Sequence, residues 1–154
     1  SKDVPAVAGV KNIEFVTSKD LINAMNSESS NLKHLFMVAA VSDFIIEKED
    51  GKINRNHGNL SLNLSPNIDI VKEYKLRNKD VNVISFSAQT NNELNYEKII
   101  DKNSDFLVIN NINKNNFGSN ENKVTIINKS ELVYESQNEN KHIIAQKIIK
   151  NTIL

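Results

Sequence analysis

The sequence contains no cysteine, only two prolines and only four glycines among 154 residues. The absence of cysteine excludes disulfide bonds, thiolate zinc sites and a cysteine nucleophile. It is typical of a protein from a reducing compartment, so we expect a cytoplasmic location. The four glycines form neither G-x-G-x-x-G nor G-x-x-x-x-G-K. A nucleotide site built from this chain would therefore lack the usual glycine-rich phosphate loop.

An excess of one charge sign and a long apolar run are also missing. Lysine plus arginine and aspartate plus glutamate both total 19, which gives no reason to expect binding to nucleic acid or to an anionic membrane. No apolar run approaches the roughly 20 residues that a membrane-spanning helix needs. The three histidines, His34, His57 and His142, are too scattered to suggest a metal site.

The hydrophobic pattern alternates between the periods of strands and helices. Continuous apolar runs at 34–41, 81–88 and 105–110 predict strands that are covered on both faces. Further strands are predicted at 12–16 and 60–65, and a β-hairpin at 123–136. Helices are predicted at 17–28, 66–76 and 91–103, and in a closing stretch from Glu139. Thr17 or Ser18 would cap the first helix, and Pro66 would take an early position in the second. The closing helix would place Ile143, Ile144 and Ile148 near one face. This order predicts an α/β, Rossmann-like domain, with a mostly parallel sheet, helices on both faces and a C-terminal β-hairpin.

Polar side chains follow three of the predicted apolar strands. Asp43 follows the first, Gln89 and Thr90 follow the second, and Asn110 ends the third. A single polar strand end is usually a helix N-cap, but ligands of parallel sheets bind at the carboxyl ends of the strands. Three such clusters on one sheet edge therefore favour a shared binding site.

Lysines are the candidate phosphate ligands. Lys98 and Lys102 lie four residues apart on one predicted helix, where like charges repel by roughly 0.2–0.5 kcal/mol. A bound phosphate would reverse the sign of that interaction, whereas the alternative is a solvated face on which Glu97 and Asp101 compensate the charge. Lys52 follows a turn, and composition alone makes it a surface lysine.

Six motifs follow one another along the chain: AAVSDF, GKINR, NIDIV, FSAQTNN, KNSDFLVINN and FGSNEN. In this order they resemble the phosphopantothenoylcysteine synthetase (phosphopantothenate–cysteine ligase) family, the synthetase half of the bifunctional bacterial flavoprotein of coenzyme A biosynthesis. The resemblance extends from about Val16 to the last helix. The chain departs from the family pattern at Asn54, Arg55, Ile68, Gln89 and Asn111.

The resemblance implies a two-step ligase. The carboxylate of phosphopantothenate attacks the α-phosphate of CTP, which gives an acyl-cytidylate and pyrophosphate, and the amino group of cysteine then displaces CMP. It also implies Mg²⁺, a homodimer with the 51–65 region near the interface, and a flavin-dependent phosphopantothenoylcysteine decarboxylase as a fused or separate partner. No flavin is expected in this segment.

The resemblance also implies roles for individual residues. Lys52 would be catalytic, and Lys98 and Lys102 would bind the triphosphate with it. The other implied nucleotide-binding residues are Ala39, Ala40, Asp43, Asn67, Ile68, Asp69, Ile70, Val71 and Phe86. Gln89, Thr90 and Asn110 are expected to bind substrate or to form the edge of the pocket, and no side chain is assigned as a metal ligand.

The family's opening strand and its glycine-rich turn are not found in this sequence. We therefore expect residues 1–154 to be a single domain, the C-terminal part of an N-terminally truncated synthetase domain, without ligase activity of its own. The alternative is a non-catalytic Rossmann-like fragment that binds nucleotide or dimerises. An NAD-dependent oxidoreductase domain is disfavoured by the missing glycine fingerprint.

Overall fold

The computed structural model of the chain describes residues 7–28, 32–46, 51, 61–91, 93–112 and 118–154. The chain forms two compact units, Ser1–Leu32 and Lys33–Leu154. The first unit contains helix α1 (Ser18–Glu28), on which Leu21 and Met25 are buried. No helix in the described ranges is both long and apolar enough to cross a membrane.

Helix α1 begins with a reciprocal cap. The Asp20 N–H donates to Thr17 Oγ1 at 3.1 Å, and the Asp20 carboxylate accepts from the Thr17 N–H at 2.9 Å. Hydrogen bonding from the Thr17 backbone, more than any other cause, lowers the pKa of Asp20. The predicted helix and its Thr17 cap are confirmed.

The predicted strand at 12–16 is wrong. These residues are exposed and pair with no strand in the described part of the chain. A segment of this kind forms a strand only where a neighbouring strand satisfies its backbone N–H and C=O groups. In the described ranges, residues 12–16 have no such pairing.

The second unit is built on one five-stranded sheet. The elements of this unit, in chain order, are β1 (His34–Met37), β2 (Phe44–Ile46), β3 (Leu64–Pro66), α2 (Ile70–Arg77), β4 (Asn82–Gln89), α3 (Tyr96–Asp101), β5 (Phe106–Asn111), β6 (Glu121–Asn122), β7 (Val124–Asn128), β8 (Leu132–Glu135), β9 (Glu139–Asn140) and α4 (Lys141–Thr152). The strand order in the sheet is β1-β4-β5-β7-β8. β1, β4 and β5 are parallel, whereas β7 and β8 form an antiparallel hairpin at one edge. The predicted α/β domain with parallel central strands and a C-terminal hairpin is therefore confirmed.

Alternating residues of the strands face two different helices. Val108 of β5 packs in one core with Ile144 and Ile148 of α4. Its neighbours Leu107 and Ile109 pack in a second core with Ile99 of α3. Because successive strand residues point to opposite faces, α3 and α4 lie on opposite sides of the sheet. Ile143, which the sequence placed on the inner face of α4, is instead exposed.

Lys75 fixes helix α2 to the amino end of the sheet. Its ammonium donates to the carbonyl oxygens of Lys79 and Val81 at 3.0 and 2.7 Å, and to Asp105 Oδ2 at 2.7 Å. The same carboxylate oxygen accepts the Val83 N–H at 2.8 Å. This network sets the position of α2, whose other end lies at the carboxyl end of the sheet.

Two short antiparallel ribbons lie outside the main sheet. β2 pairs with β3, and β6 pairs with β9. Strand β2 was not among the predicted strands, and Pro66, which was expected early in the helix at 66–76, belongs to β3. Helix α2 begins later because Asp69 caps it by accepting the Lys72 N–H.

Candidate functional site

A cavity of about 220 Å³ lies at the carboxyl ends of β1 and β4. Four segments form it: the end of β1 with the following loop, the residues around the start of α2, the end of β4, and one face of α3 with the residue that follows this helix. We call it the lysine cavity, and its lining residues are Met37, Ala39, Ala40, Val41, Ser42, Asp43, Ile68, Asp69, Ile70, Val71, Ser85, Phe86, Ser87, Ala88, Lys98 and Lys102.

Most of the predicted site residues line this one cavity. They are Ala39, Ala40, Asp43, Ile68, Asp69, Ile70, Val71, Phe86, Lys98 and Lys102. Asn67, Gln89, Thr90 and Asn110 are not among the lining residues. Lys52, the predicted catalytic residue, lies outside the described residues. The structure thus brings together segments separated by more than 50 residues in sequence.

Asn67 supports the cavity wall from outside. Its side-chain amide donates to the Ser42 carbonyl oxygen at 2.8 Å, and its backbone N–H donates to the Asp43 carbonyl oxygen at 2.8 Å. These bonds connect the loop after β1 to the segment before α2. Gln89 has a similar local role, since its amide donates to the Glu93 carbonyl oxygen at 2.7 Å.

Lys98 is held by a neutral partner. Its ammonium donates to Ser87 Oγ at 2.8 Å. Ser87 is only 3% exposed and Lys98 is half-buried. A hydroxyl oxygen accepts one of the three ammonium donors without cancelling the positive charge. Lys98 therefore presents a full charge and two further donors to the cavity.

Lys102 is held by a charged partner. Its ammonium lies 3.0 Å from Asp69 Oδ2, while Asp69 Oδ1 accepts the Lys72 N–H at 3.1 Å. The Asp69 carboxylate therefore has two roles: one oxygen caps α2 and the other pairs with the charge of Lys102. Lys102 follows α3 directly, one turn beyond Lys98, which explains why both ammonium groups reach the same cavity.

Asn110 lines a second cleft. This cleft, of about 430 Å³, lies against α4 and is mostly apolar, with Ser87, Asn110, Asn122 and Lys141 as its polar residues. It shares Met37, Ala39, Ala40 and residues 86–88 with the lysine cavity, so the two spaces adjoin across the ends of β1 and β4.

The donor set of the lysine cavity suits an anion. Two lysines meet small residues that leave the backbone accessible, and such a set attracts phosphate or carboxylate groups. In the described part of the chain, no group of three or more histidines and carboxylates is arranged to hold a metal ion.

The contact between Ser87 and Lys98 was not predicted from the sequence. Ser85 and Ser87 alternate along β4 and so point to the same face of the sheet. Ser85 is 1% exposed, and its hydroxyl lies 2.8 Å from that of Ser104. Two hydroxyls buried on one face of an apolar strand need partners, and this requirement was the available signal for a contact with α3.

The fold and the cavity define an α/β domain whose candidate ligand site lies at the carboxyl ends of parallel strands, the place where such sheets bind ligands. The family described as "DNA/pantothenate metabolism flavoprotein C-terminal domain" matches residues 1–153. The chain belongs to this family.

Known relatives are longer than this chain. One, from an unknown prokaryotic organism, is named cysteine/cysteine sulfinic acid decarboxylase and is 32% identical over 123 residues, covering 76% of this chain and 34% of the relative. Coenzyme A biosynthesis bifunctional protein CoaBC of Methanocaldococcus jannaschii is 27% identical over 149 residues, covering 92% of this chain and 36% of the relative. The chain thus spans about a third of these relatives.

A solved structure has the same fold. The crystal structure of the C-terminal domain of coenzyme A biosynthesis bifunctional protein CoaBC matches with a TM-score of 0.73 and 22% identity, covering 96% of this chain and 69% of that one. At this identity the likeness establishes the fold alone.

Proposed function

We propose that this chain forms the nucleotide-binding part of a ligase of coenzyme A biosynthesis, which joins phosphopantothenate to cysteine at the expense of CTP. The observation that carries the proposal is the lysine cavity: two ammonium groups converge at the carboxyl end of the sheet in a member of this family. The M. jannaschii relative is named as a bifunctional protein of coenzyme A biosynthesis.

The chemistry explains why cations are needed. The carboxylate of phosphopantothenate would attack the α-phosphate of CTP, forming a C–O–P anhydride and releasing pyrophosphate. The amino group of cysteine would then attack the acyl carbon, forming the amide and releasing CMP and a proton. In the first step an anion approaches a polyanion, and fixed positive charge lowers that barrier.

The described residues of the cavity would contact different parts of the nucleotide. Lys98 and Lys102 would bind phosphate oxygens, while Ala39 and Ala40 would offer backbone groups to the cytidine. Phe86 and the 68–71 segment would form the walls. On the resemblance alone, we assign Lys52 to the charge that develops at the α-phosphate.

We propose that magnesium enters this site together with the triphosphate. Both Asp69 oxygens already accept hydrogen bonds, which leaves Asp43 as the other carboxylate among the lining residues. Bound Mg²⁺ would supply charge neutralisation on the phosphate chain. The chain's own contribution is the two lysines and the walls that orient the nucleotide.

We propose that the protein is a homodimer that associates through the β2–β3 ribbon. Phe44, Ile46 and Leu64 lie on one face of the ribbon and are between 52% and 57% exposed, although they are large and apolar. A contiguous exposed apolar patch of this kind marks an interaction surface. The bifunctional relative also supports a flavin-dependent decarboxylase as a second partner.

Equilibrium binding tests the nucleotide proposal. We expect CTP with Mg²⁺ to bind this chain more tightly than ATP in isothermal titration calorimetry. Lys98→Ala removes a charged hydrogen-bond donor worth about 1.5–3 kcal/mol, so CTP affinity should fall by about tenfold to a hundredfold. Lys150→Ala removes the same charge from an exposed position on α4 and should leave the affinity unchanged. Equal effects of the two substitutions would contradict the assignment.

A further inference from the structure

The two lysines of the cavity differ in what holds them. Lys98 rests on the hydroxyl of Ser87, and no carboxylate in the described ranges lies within ion-pair distance of its ammonium. Lys102 is paired with the Asp69 carboxylate at 3.0 Å. The side chains of this pair are 23% and 36% exposed, so solvent only partly screens the interaction.

An incoming anion would interact differently with these two lysines, because only Lys102 is already in an ion pair. Lys98 can keep its bond to Ser87 while its remaining donors reach a phosphate oxygen, because an ammonium has three donors. Lys102 must share its charge with Asp69 or release it. Asp69 cannot turn away freely, since its other oxygen caps α2. The existing partner therefore helps binding at Lys98 and opposes it at Lys102.

Burial strengthens the contrast. Ser87 is 3% exposed within β4, so its hydroxyl has a fixed place. A free lysine side chain otherwise loses rotamer entropy when it is ordered. A lysine that is already ordered before the ligand arrives avoids part of that loss on binding.

We propose that Ser87 is a positioning residue that makes Lys98 the primary anion anchor of the cavity, while Asp69 holds Lys102 back as a secondary one. The inference rests on the proposed function, in which the anion is a nucleotide triphosphate. It adds that loss of the Ser87 hydroxyl weakens anion binding, whereas loss of the Asp69 charge strengthens it.

Inorganic tripolyphosphate is the probe, because it carries the charge of the triphosphate without a nucleoside. In calorimetric titrations at low salt, we expect Ser87→Ala to weaken tripolyphosphate binding about threefold to tenfold. This is the range for a long side chain, here that of Lys98, that becomes ordered only when the ligand binds. Ser87→Thr keeps the hydroxyl and should restore the affinity. Asp69→Asn keeps the helix cap and should tighten binding about twofold to fivefold.

Two controls separate positioning from general effects. Ser104→Ala also removes a buried hydroxyl but does not touch Lys98, and Glu73→Gln removes a negative charge on α2 outside the cavity. Both should leave the tripolyphosphate affinity unchanged. Thermal unfolding of every variant shows whether the fold is kept.

Each other outcome overturns the inference. It fails if the unsubstituted chain does not bind tripolyphosphate, if Ser87→Ala binds as well as the unsubstituted chain, if threonine does not restore binding, or if Asp69→Asn weakens it. A different result would contradict the proposed function alone. In that case the Ser87 and Asp69 substitutions change tripolyphosphate binding as expected, but CTP binds no more tightly than tripolyphosphate or ATP.

Discussion

Replacement of Lys75 by methionine should destabilise the protein strongly. The Lys75 side chain is only 11% exposed and donates three hydrogen bonds, one of them to Asp105. Methionine keeps the aliphatic stem but leaves two carbonyl oxygens and a carboxylate without their shared donor. Removing one partner of a buried ion pair costs about 3–5 kcal/mol.

The structure places the expected cost near the lower end of that range. Asp105 is 30% exposed and keeps the Val83 N–H as a donor, so its charge is not stranded. We therefore expect a loss of about 3 kcal/mol. For a chain of this length that corresponds to a fall of roughly 6–12 °C in the unfolding temperature.

Arg77→Met is the matched control, because it removes a charge from the same helix. The Arg77–Glu73 pair is 3.4 Å long, with side chains 63% and 47% exposed, and its loss should cost less than about 0.5 kcal/mol. Urea and thermal unfolding, followed by circular dichroism, measure both variants. If Lys75→Met is no less stable than Arg77→Met, the account of how α2 is fixed to the sheet is refuted.

Two further predictions concern stability and assembly. Tyr74→Phe should unfold at or above the wild-type temperature, because the Tyr74 hydroxyl is buried and has no hydrogen-bond partner among the described residues; a clear loss of stability would contradict this. Burial also raises the pKa of Tyr74, so the wild type should lose stability as pH rises above about 10, where the unfolded state ionises first, and Tyr74→Phe should lose less in the same unfolding series. In sedimentation velocity, Ile46→Lys should dissociate the dimer, whereas Ile149→Lys, an equally exposed position on α4, should not. A wild-type protein that sediments as a monomer would refute the assembly.

The parallel core of the sheet was predictable, because strands covered on both faces carry continuous apolar runs. The β7–β8 hairpin was also predictable, since a polar Lys129–Ser130 turn separates two apolar stretches. The length of β1 was not. Its apolar run continues to Val41, but the strand ends at Met37, and the residues that follow line the lysine cavity. Hydrophobic pattern does not distinguish a residue buried in a core from one that lines a cavity.

The lysine cavity was predictable in membership but not in its internal contacts. The motif order indicated most of the residues that would meet, whereas of the polar strand ends only Asp43 lines the lysine cavity. The pairing of Lys102 with Asp69, 33 positions apart, depends on how α2 and α3 are placed along the sheet. The Ser87–Lys98 contact depends in the same way on the register of β4 against α3. Local sequence carries neither of these relations.

The most direct test of the nucleotide site is to map CTP on the 154-residue chain by NMR. We expect CTP with Mg²⁺ to shift backbone amides at 39–43, 68–71 and 85–88, and around Lys98 and Lys102, because these segments line one cavity. Amides of the β7–β8 hairpin and the exposed face of α4 should remain unshifted. Saturable shifts confined to regions outside the lysine cavity, or no shifts at millimolar CTP, would contradict the account.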